Sequence, residues 1–254
     1  MRVCRTIAEL HEALQVPDGT VGLVPTMGAF HGGHVALLRA ARAECDVVVV
    51  SLFVNPAQFA ADEDLGGYPR NEDQDMRLAE EAGVDVLFAP APEELYPPGF
   101  QTWVDLEELG RLLEGAHRPG HFRGVATICC KLFNLVRPHR AYFGQKDAQQ
   151  VAVVKRLVAD LNFAVEIRVV PTVRDVDGLA LSSRNAYLTP EERERAAALP
   201  RALATRDPSS ARALLDGYDV DYVEVAEFEP RVLAAAVRFG KTRLIDNVVL
   251  EGAD

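Results

Sequence analysis

The chain has 254 residues, 48% hydrophobic and 26% charged, and its 27 basic against 38 acidic residues leave a formal net charge of −11. That length can bury one large or two modest cores, while the acidic balance argues against non-specific binding of nucleic acid or an anionic membrane surface. Arg2, Arg5, Glu9 and Glu12 break any signal-peptide pattern, and the longest apolar run, VVVVSLFV at 47–54, is too short to span a bilayer.

In chain order, Thr6 and Glu9 make a capping box for a first helix with an apolar stripe of Ile7, Leu10 and Leu14. Pro17-Asp18-Gly19 predicts a turn and Val21 to Val24 a buried strand, which Pro25 ends. After a tight connection, Val35, Leu37, Leu38 and Ala41 recur at helical spacing. The β-branched run 47–54 suits a parallel strand covered on both faces, and Asn55-Pro56 closes it. Residues 57–70 read as a polar loop. A helix capped by Asn71 runs to about Ala82, Gly83 stops it, and VDVLF follows as a strand. A Pro-rich crossing leads to a short helix ending near Gly115 and to the loop AHRPGHFRG. A helix is then expected over Val125–Val136, a strand over Ala141–Phe143, a turn over Gly144–Asp147, a helix over Ala148–Asp160 and a strand over Val165–Val170.

Helices alternating with buried strands predict an α/β fold, a Rossmann-like and mostly parallel sheet with helices on both faces. Beyond about residue 177 the texture changes. Thr189-Pro190-Glu191-Glu192 is a helix start, 201–219 holds a polar break and one short helix, and DYVEVAEF, RVLAAAVRF and TRLIDNVVL read as three strands. The expected organisation is a domain over 1–175 and a small α+β lid domain over 176–254. Cys4, Cys45, Cys129 and Cys130 lack zinc spacing and form no C-x-x-C pair, so reduced thiols and a cytoplasmic location are expected. No metal-ligand spacing appears.

Ligands of such sheets bind where loops leave the strand ends, as the loops at 25–34, 55–58, 144–150 and 171–174 do, and four segments of the chain carry chemistry. His31-Gly32-Gly33-His34 falls where a strand hands over to a helix, a natural anion site; Gly33 would let a phosphate approach, and both imidazoles can donate. Gln58 is a neutral amide that can both donate and accept, suited to a ligand bearing hydroxyls and a carboxylate. Lys146, in GQKDAQQ, can meet a polyphosphate as a point charge, and Asp147 fits a helix N-cap equally well. Ser182, Ser183 and Arg184 are suitable donors for triphosphate oxygens. The basic loop Arg118-Pro119-Gly120-His121-Phe122-Arg123-Gly124 is assigned a supporting part. Gly240-Lys241-Thr242 imitates the end of a phosphate loop, but Ala235 stands where that pattern needs glycine.

In this order, PTMGAFHGGH, VNPAQF, RPGHFRG, FGQKDAQQ and LSSRN resemble the pantothenate synthetase family of the HIGH-motif nucleotidyltransferase superfamily. The resemblance implies an enzyme that condenses (R)-pantoate with β-alanine through a pantoyl adenylate, using ATP with Mg²⁺ and releasing AMP and pyrophosphate. It implies His31, His34, Lys146, Ser182, Ser183 and Arg184 as catalytic donors. It adds Met27, Gly28, Gly33, Gly144, Asp147, Val173 and Leu181 around the nucleotide, Gln58 and Gln150 on pantoate, and a homodimer. Gln145 stands where the family often has Glu, Phe30 and Gly32 replace the more frequent Leu and acidic residues, and the stretch 201–218 is short for the family's lid. Two rival readings stand beside it: another nucleotidyltransferase of the superfamily, whose product would keep the nucleotide, and a non-catalytic adenine-nucleotide-binding module.

Overall fold

Arg2–Cys4 forms a short strand, β1, in the computed structural model, which describes residues 1–15, 19–59 and 65–250. The expected turn at Pro17-Asp18 and part of the loop 57–70 lie outside the described residues. Nothing in the sequence announced β1, because three residues with one buried side chain carry no readable period. Its pairing partner, parallel and in register, is the strand Val86–Phe88.

The capping box of Thr6 and Glu9 forms, opening α1 (Ile7–Ala13). β2 (Val21–Thr26) pairs in parallel with β3 (Val47–Leu52) along its whole length, and Leu23, Val24 and Val48 to Val50 are fully buried. Between them lies α2 (Gly32–Glu44). α3 (Glu72–Glu81) starts at Asn71, whose side chain accepts from the Gln74 N–H. It leads to the Val86–Phe88 strand, now β4. Short helices α4 (Pro92–Leu95) and α5 (Leu113–His117) precede α6 (His121–Val136). α6 begins four residues earlier than Val125 because Gly120, at φ +83°, turns the chain directly into it. β5 (Arg140–Gly144), α7 (Ala148–Asp160) and β6 (Glu166–Val170) follow. The six strands form one sheet in the order β1-β4-β3-β2-β5-β6. Leu38 and Ala41 of α2, Ala79 and Ala82 at α3, and Val24, Val50 and Leu87 of the sheet share one buried cluster.

Beyond residue 171 come α8 (Pro190–Ala196), α9 (Ala198–Leu203) and α10 (Pro208–Leu214), then β7 (Asp219–Ala226), β8 (Val232–Phe239) and β9 (Thr242–Val249) in an antiparallel sheet. Within the stretch 201–219 the break falls at 204–207, and α10 is the one short helix expected there. Leu199, Leu203 and Ala211 of the helices pack on Leu233, Ala235 and Val237 of β8. Phe239 pairs with Thr242 across Gly240, at φ +59°, so Gly240-Lys241 is a hairpin turn.

The chain divides into two compact units, Met1–Phe143 with Val153–Val170, and Gly144–Ala152 with Pro171–Asp254. The turn at Gly144–Ala152 thus groups with the second unit, unlike the expected 1–175 and 176–254 division. The cause is a set of hydrogen bonds from β9 to the turn: the Asn247 amide reaches the main chain of Gln145 and Lys146. Among the described residues no helix is long and apolar enough to cross a membrane.

Candidate active site

In the first unit, Thr26 ends β2 with its hydroxyl donating to the Ser51 carbonyl at 2.6 Å, which fixes the take-off of Met27. Gly28 and Ala29 then both adopt left-handed backbone, at φ +91° and +54°. A non-glycine residue there costs about 1–2 kcal/mol, and the opposing interaction comes from Asp75 on α3. Its carboxylate accepts from the Ala29 N–H at 2.9 Å and the Phe30 N–H at 2.6 Å and is 2% exposed. Burial raises its pKa against the lowering effect of those two N–H groups. A Cβ at Gly28 would stand 2.8 Å from Leu52 and 3.0 Å from the Asp75 carboxylate, so the turn demands glycine.

This turn delivers His31 as the N-cap of α2. His31 Nδ1 accepts from the Gly33 N–H at 3.1 Å, and His34 Nδ1 accepts from the His31 N–H at 3.3 Å. The rings lie 4.3 Å apart, and His34 stacks on Phe30 at 5.1 Å. An Nδ1 that accepts leaves the neutral ring its proton on Nε2, so each imidazole is an Nε2–H donor. The Gly33 N–H is taken by His31. A Cβ on Gly33 would come within 2.8 Å of the His31 ring, so this glycine makes room for the imidazole.

Gln58 lies in a 3₁₀ turn over Pro56–Gln58, capped by Asn55. Asn55 Nδ2 donates to Gln58 Oε1 at 3.0 Å and to the Gly124 carbonyl at 3.1 Å. With its oxygen engaged and 7% of the residue exposed, Gln58 presents its amide nitrogen as donor. The supporting loop is seen at the main chain: Arg118 Nη2 and His121 Nδ1 donate to the Gln58 carbonyl at 3.3 and 2.9 Å. Gly124 of α6 must lack a side chain, since a Cβ would meet the Ala57 carbonyl oxygen at 2.2 Å.

In the second unit, Lys146, Ser182 and Arg184 line one pocket together with Asn185, Arg243 and Asp246. The Lys146 ammonium lies 3.5 Å from the Asp147 carboxylate. Ser182 caps the 3₁₀ turn Ser183–Tyr187, its hydroxyl accepting from the Arg184 N–H at 3.3 Å. The Leu181 N–H donates to the Val173 carbonyl at 2.9 Å, which joins those two expected nucleotide contacts. Asp147 sits one residue before α7, while Gln150, half-buried, lies in that helix's first turn. Gly144, Asp147, Gln150, Val173, Leu181 and Ser183 are outside the pocket lining. The acidic member of the lining, Asp246, is met by a bidentate Arg174 at 2.6 and 3.1 Å. Among the described residues no group of three or more His, Cys, Asp or Glu is placed to hold a metal ion.

Asp75 and Asn185 were missed as site residues. An acid in the first turn of an acidic helix reads as a surface charge facing the macrodipole. Only the approach of the turn at 28–30 reveals Asp75, whereas Asn185 carried a signal in its place beside Arg184. Its amide nitrogen donates to the Ala180 carbonyl at 3.0 Å.

A family model described as Pantoate-beta-alanine ligase matches residues 2–249. A curated relative from Roseiflexus sp. (strain RS-1), named pantothenate synthetase, is 52% identical over 277 residues, covering 99% of this chain and 100% of the relative. One of the same name from Heliobacterium modesticaldum is 50% identical over 285 residues, covering 99% and 100%. The crystal structure of pantothenate synthetase from Thermus thermophilus matches with a TM-score of 0.93 at 47% identity, covering 98% of this chain and 99% of that one. The pantoate-beta-alanine ligase of Francisella tularensis, complexed with β-γ ATP and β-alanine, matches with a TM-score of 0.87 at 36% identity, covering 98% and 97%. The Roseiflexus alignment is longer than the 254 residues of this chain, so that relative carries residues this chain lacks.

Proposed function

The chain belongs to the pantoate-beta-alanine ligase family and is an enzyme of it, and from that premise we propose how its residues divide the work. In the reaction, a carboxylate oxygen of (R)-pantoate attacks the α-phosphorus of ATP and pyrophosphate leaves. The amine of β-alanine then attacks the acyl carbon of the pantoyl adenylate and loses a proton, and AMP departs as pantothenate forms. ATP enters with Mg²⁺ on its phosphates.

The first step gathers negative charge on the phosphates, so the site needs fixed donors. His31 and His34 supply Nε2–H groups, Lys146 and Arg184 supply cations, and Ser182 and Ser183 supply hydroxyls. Met27, Gly28, Gly33, Gly144, Val173 and Leu181 shape the backbone around the nucleotide, with Asp147 on its ribose. Gln58 and Gln150 orient pantoate without adding a charge that would dull its carboxylate. One observation carries this assignment: a protein of net charge −11 concentrates Lys146, Ser182 and Arg184 in a single pocket and neutralises the acid beside them with Arg174.

The test is pyrophosphate and AMP release from ATP. Pantoate alone should give pyrophosphate in an amount limited by enzyme, and β-alanine should then start sustained AMP turnover. Silence under both conditions, with ATP still bound, would leave only the nucleotide-binding module. AMP retained in the product would instead mark another nucleotidyltransferase. Gln58→Ala should raise the pantoate Kd by about tenfold or more, the scale of a lost hydrogen bond at a buried site. Calorimetry that finds an unchanged Kd would remove Gln58 from the pantoate site.

We also propose a cytoplasmic location, in keeping with four free cysteines of which three are buried, and a homodimer, the assembly that the family resemblance implies. Sedimentation at micromolar concentration should give twice the 27.8 kDa of one chain; a single-chain mass would end that part of the proposal.

A further inference from the structure

Asn247 lies on β9, 3% exposed, and its side chain spends its hydrogen bonds on the turn that carries Lys146. Its Nδ2 donates to the carbonyls of Gln145 and Lys146, both at 2.9 Å, while its Oδ1 accepts from Gln145 Nε2 at 3.2 Å. Chemistry fixes the amide's orientation, because two backbone carbonyls can only accept and must face the NH₂ end.

The support behind Asn247 is rigid. Its backbone pairs with Ala234 of β8, its N–H donates to Asp246 Oδ1 at 2.8 Å, and its carbonyl accepts from Arg174 Nη2 at 3.4 Å. The neighbouring residues Leu244 to Asp246 of the same strand form part of the pocket wall that Lys146 also lines. One strand therefore supplies part of the wall and fixes the root of the lysine. Lysine has a flexible four-carbon stem, so where its ammonium can stand depends on how firmly its backbone is held.

We propose that Asn247 is a positioning residue for Lys146: its amide ties the lysine-bearing turn to β9, so that the lysine keeps station with Ser182 and Arg184 in one donor set. This rests on the assignment of Lys146 as a phosphate donor. Gln145 takes part as the donor that holds the Asn247 amide in this orientation, which gives the glutamine at that position a physical role.

The experiment is a double-mutant cycle on pantoate-dependent pyrophosphate release, with thermal melting as the folding control. Lys146→Ala should slow the step by about 10²–10³-fold. Asn247→Leu, which keeps the branching of Asn but removes its polar atoms, should slow it by between about tenfold and about 10²-fold, the scale of a misplaced catalytic group. The double variant should be no slower than Lys146→Ala beyond about twofold, because the asparagine acts only through the lysine. Combined with His34→Ala, by contrast, the Asn247→Leu loss should multiply.

A loss that multiplies in the Lys146→Ala background would overturn the proposal and leave Asn247 a structural residue. Lys146→Ala slow with Asn247→Leu at the unaltered rate would overturn it alone, whereas an unaltered rate in Lys146→Ala would overturn the assignment of the lysine as well. Should Asn247→Leu fail to fold, Gln145→Leu decides. That half-buried change removes one bond and should give a smaller loss that disappears in the Lys146→Ala background; a loss that persists there counts against the proposal.

Discussion

Replacing His34 by alanine is expected to cut pantoate-dependent pyrophosphate release by about 10²–10³-fold while pantoate affinity stays within about twofold. The ring does two separable things. Its Nδ1 accepts the His31 N–H at 3.3 Å, closing the helix start, and that acceptance leaves the proton of the neutral imidazole on Nε2. Losing the cap costs about 1 kcal/mol of helix stability. Losing one preorganised donor to an oxyanion costs about 2.7–4 kcal/mol of barrier. The larger figure belongs to the rate, so a variant that folds normally and binds pantoate should still fail at adenylation. His34→Asn sharpens the comparison, since its amide oxygen can restore an acceptor at the helix start but cannot place a donor where Nε2–H stood. Normal melting with a rate still low by at least about tenfold is the expected result for it. Unchanged pyrophosphate release in His34→Ala would remove the histidine from the mechanism.

The parts of this protein that were readable in advance are those whose signal is local. The run at 47–54 reads as a parallel strand because β-branched residues buried on both faces leave no polar alternation, and Val48 to Val50 are fully buried. Thr6 with Glu9 and Thr189 with Glu192 form the capping boxes their spacing implies. The strand-to-helix position of His31 and His34 was equally local. What escaped depends on contacts between distant segments. β1 exists only through its pairing with β4. Asp75 looks like a solvated acid until the turn at 28–30 is laid against it. Asp246 and Asn247 are successive strand residues, which alternation puts on opposite faces, yet both are buried, one on Arg174 and the other on the lysine turn. A second demand on Gly33 was hidden for the same reason. Its small size was legible, but the atom that fills the space is an imidazole carbon of His31.

The largest loss of stability is expected from Arg174→Leu. Arg174 meets Asp246 through two bonds of 2.6 and 3.1 Å, and the Asp246 side chain is 1% exposed. Removing one partner of a buried ion pair strands the other charge, which typically costs about 3–5 kcal/mol. Arg174 is itself one-third exposed, and Asp246 keeps the Asn247 N–H as a donor, so the low end, about 3 kcal/mol, is expected here. Urea unfolding reads this as a lowered midpoint with the slope unchanged. The same change leaves an unneutralised carboxylate on the wall shared by Lys146 and Arg184, so ATP affinity should fall with stability. Adding Asp246→Leu separates the causes, because a buried pair replaced by apolar groups of similar volume is often neutral or better. If the stranded charge is the cause, the double variant should recover most of the midpoint and ATP binding together. A double variant as unstable as Arg174→Leu would mean that the arginine acts through its bonds to the Gly178 and Asn247 carbonyls instead.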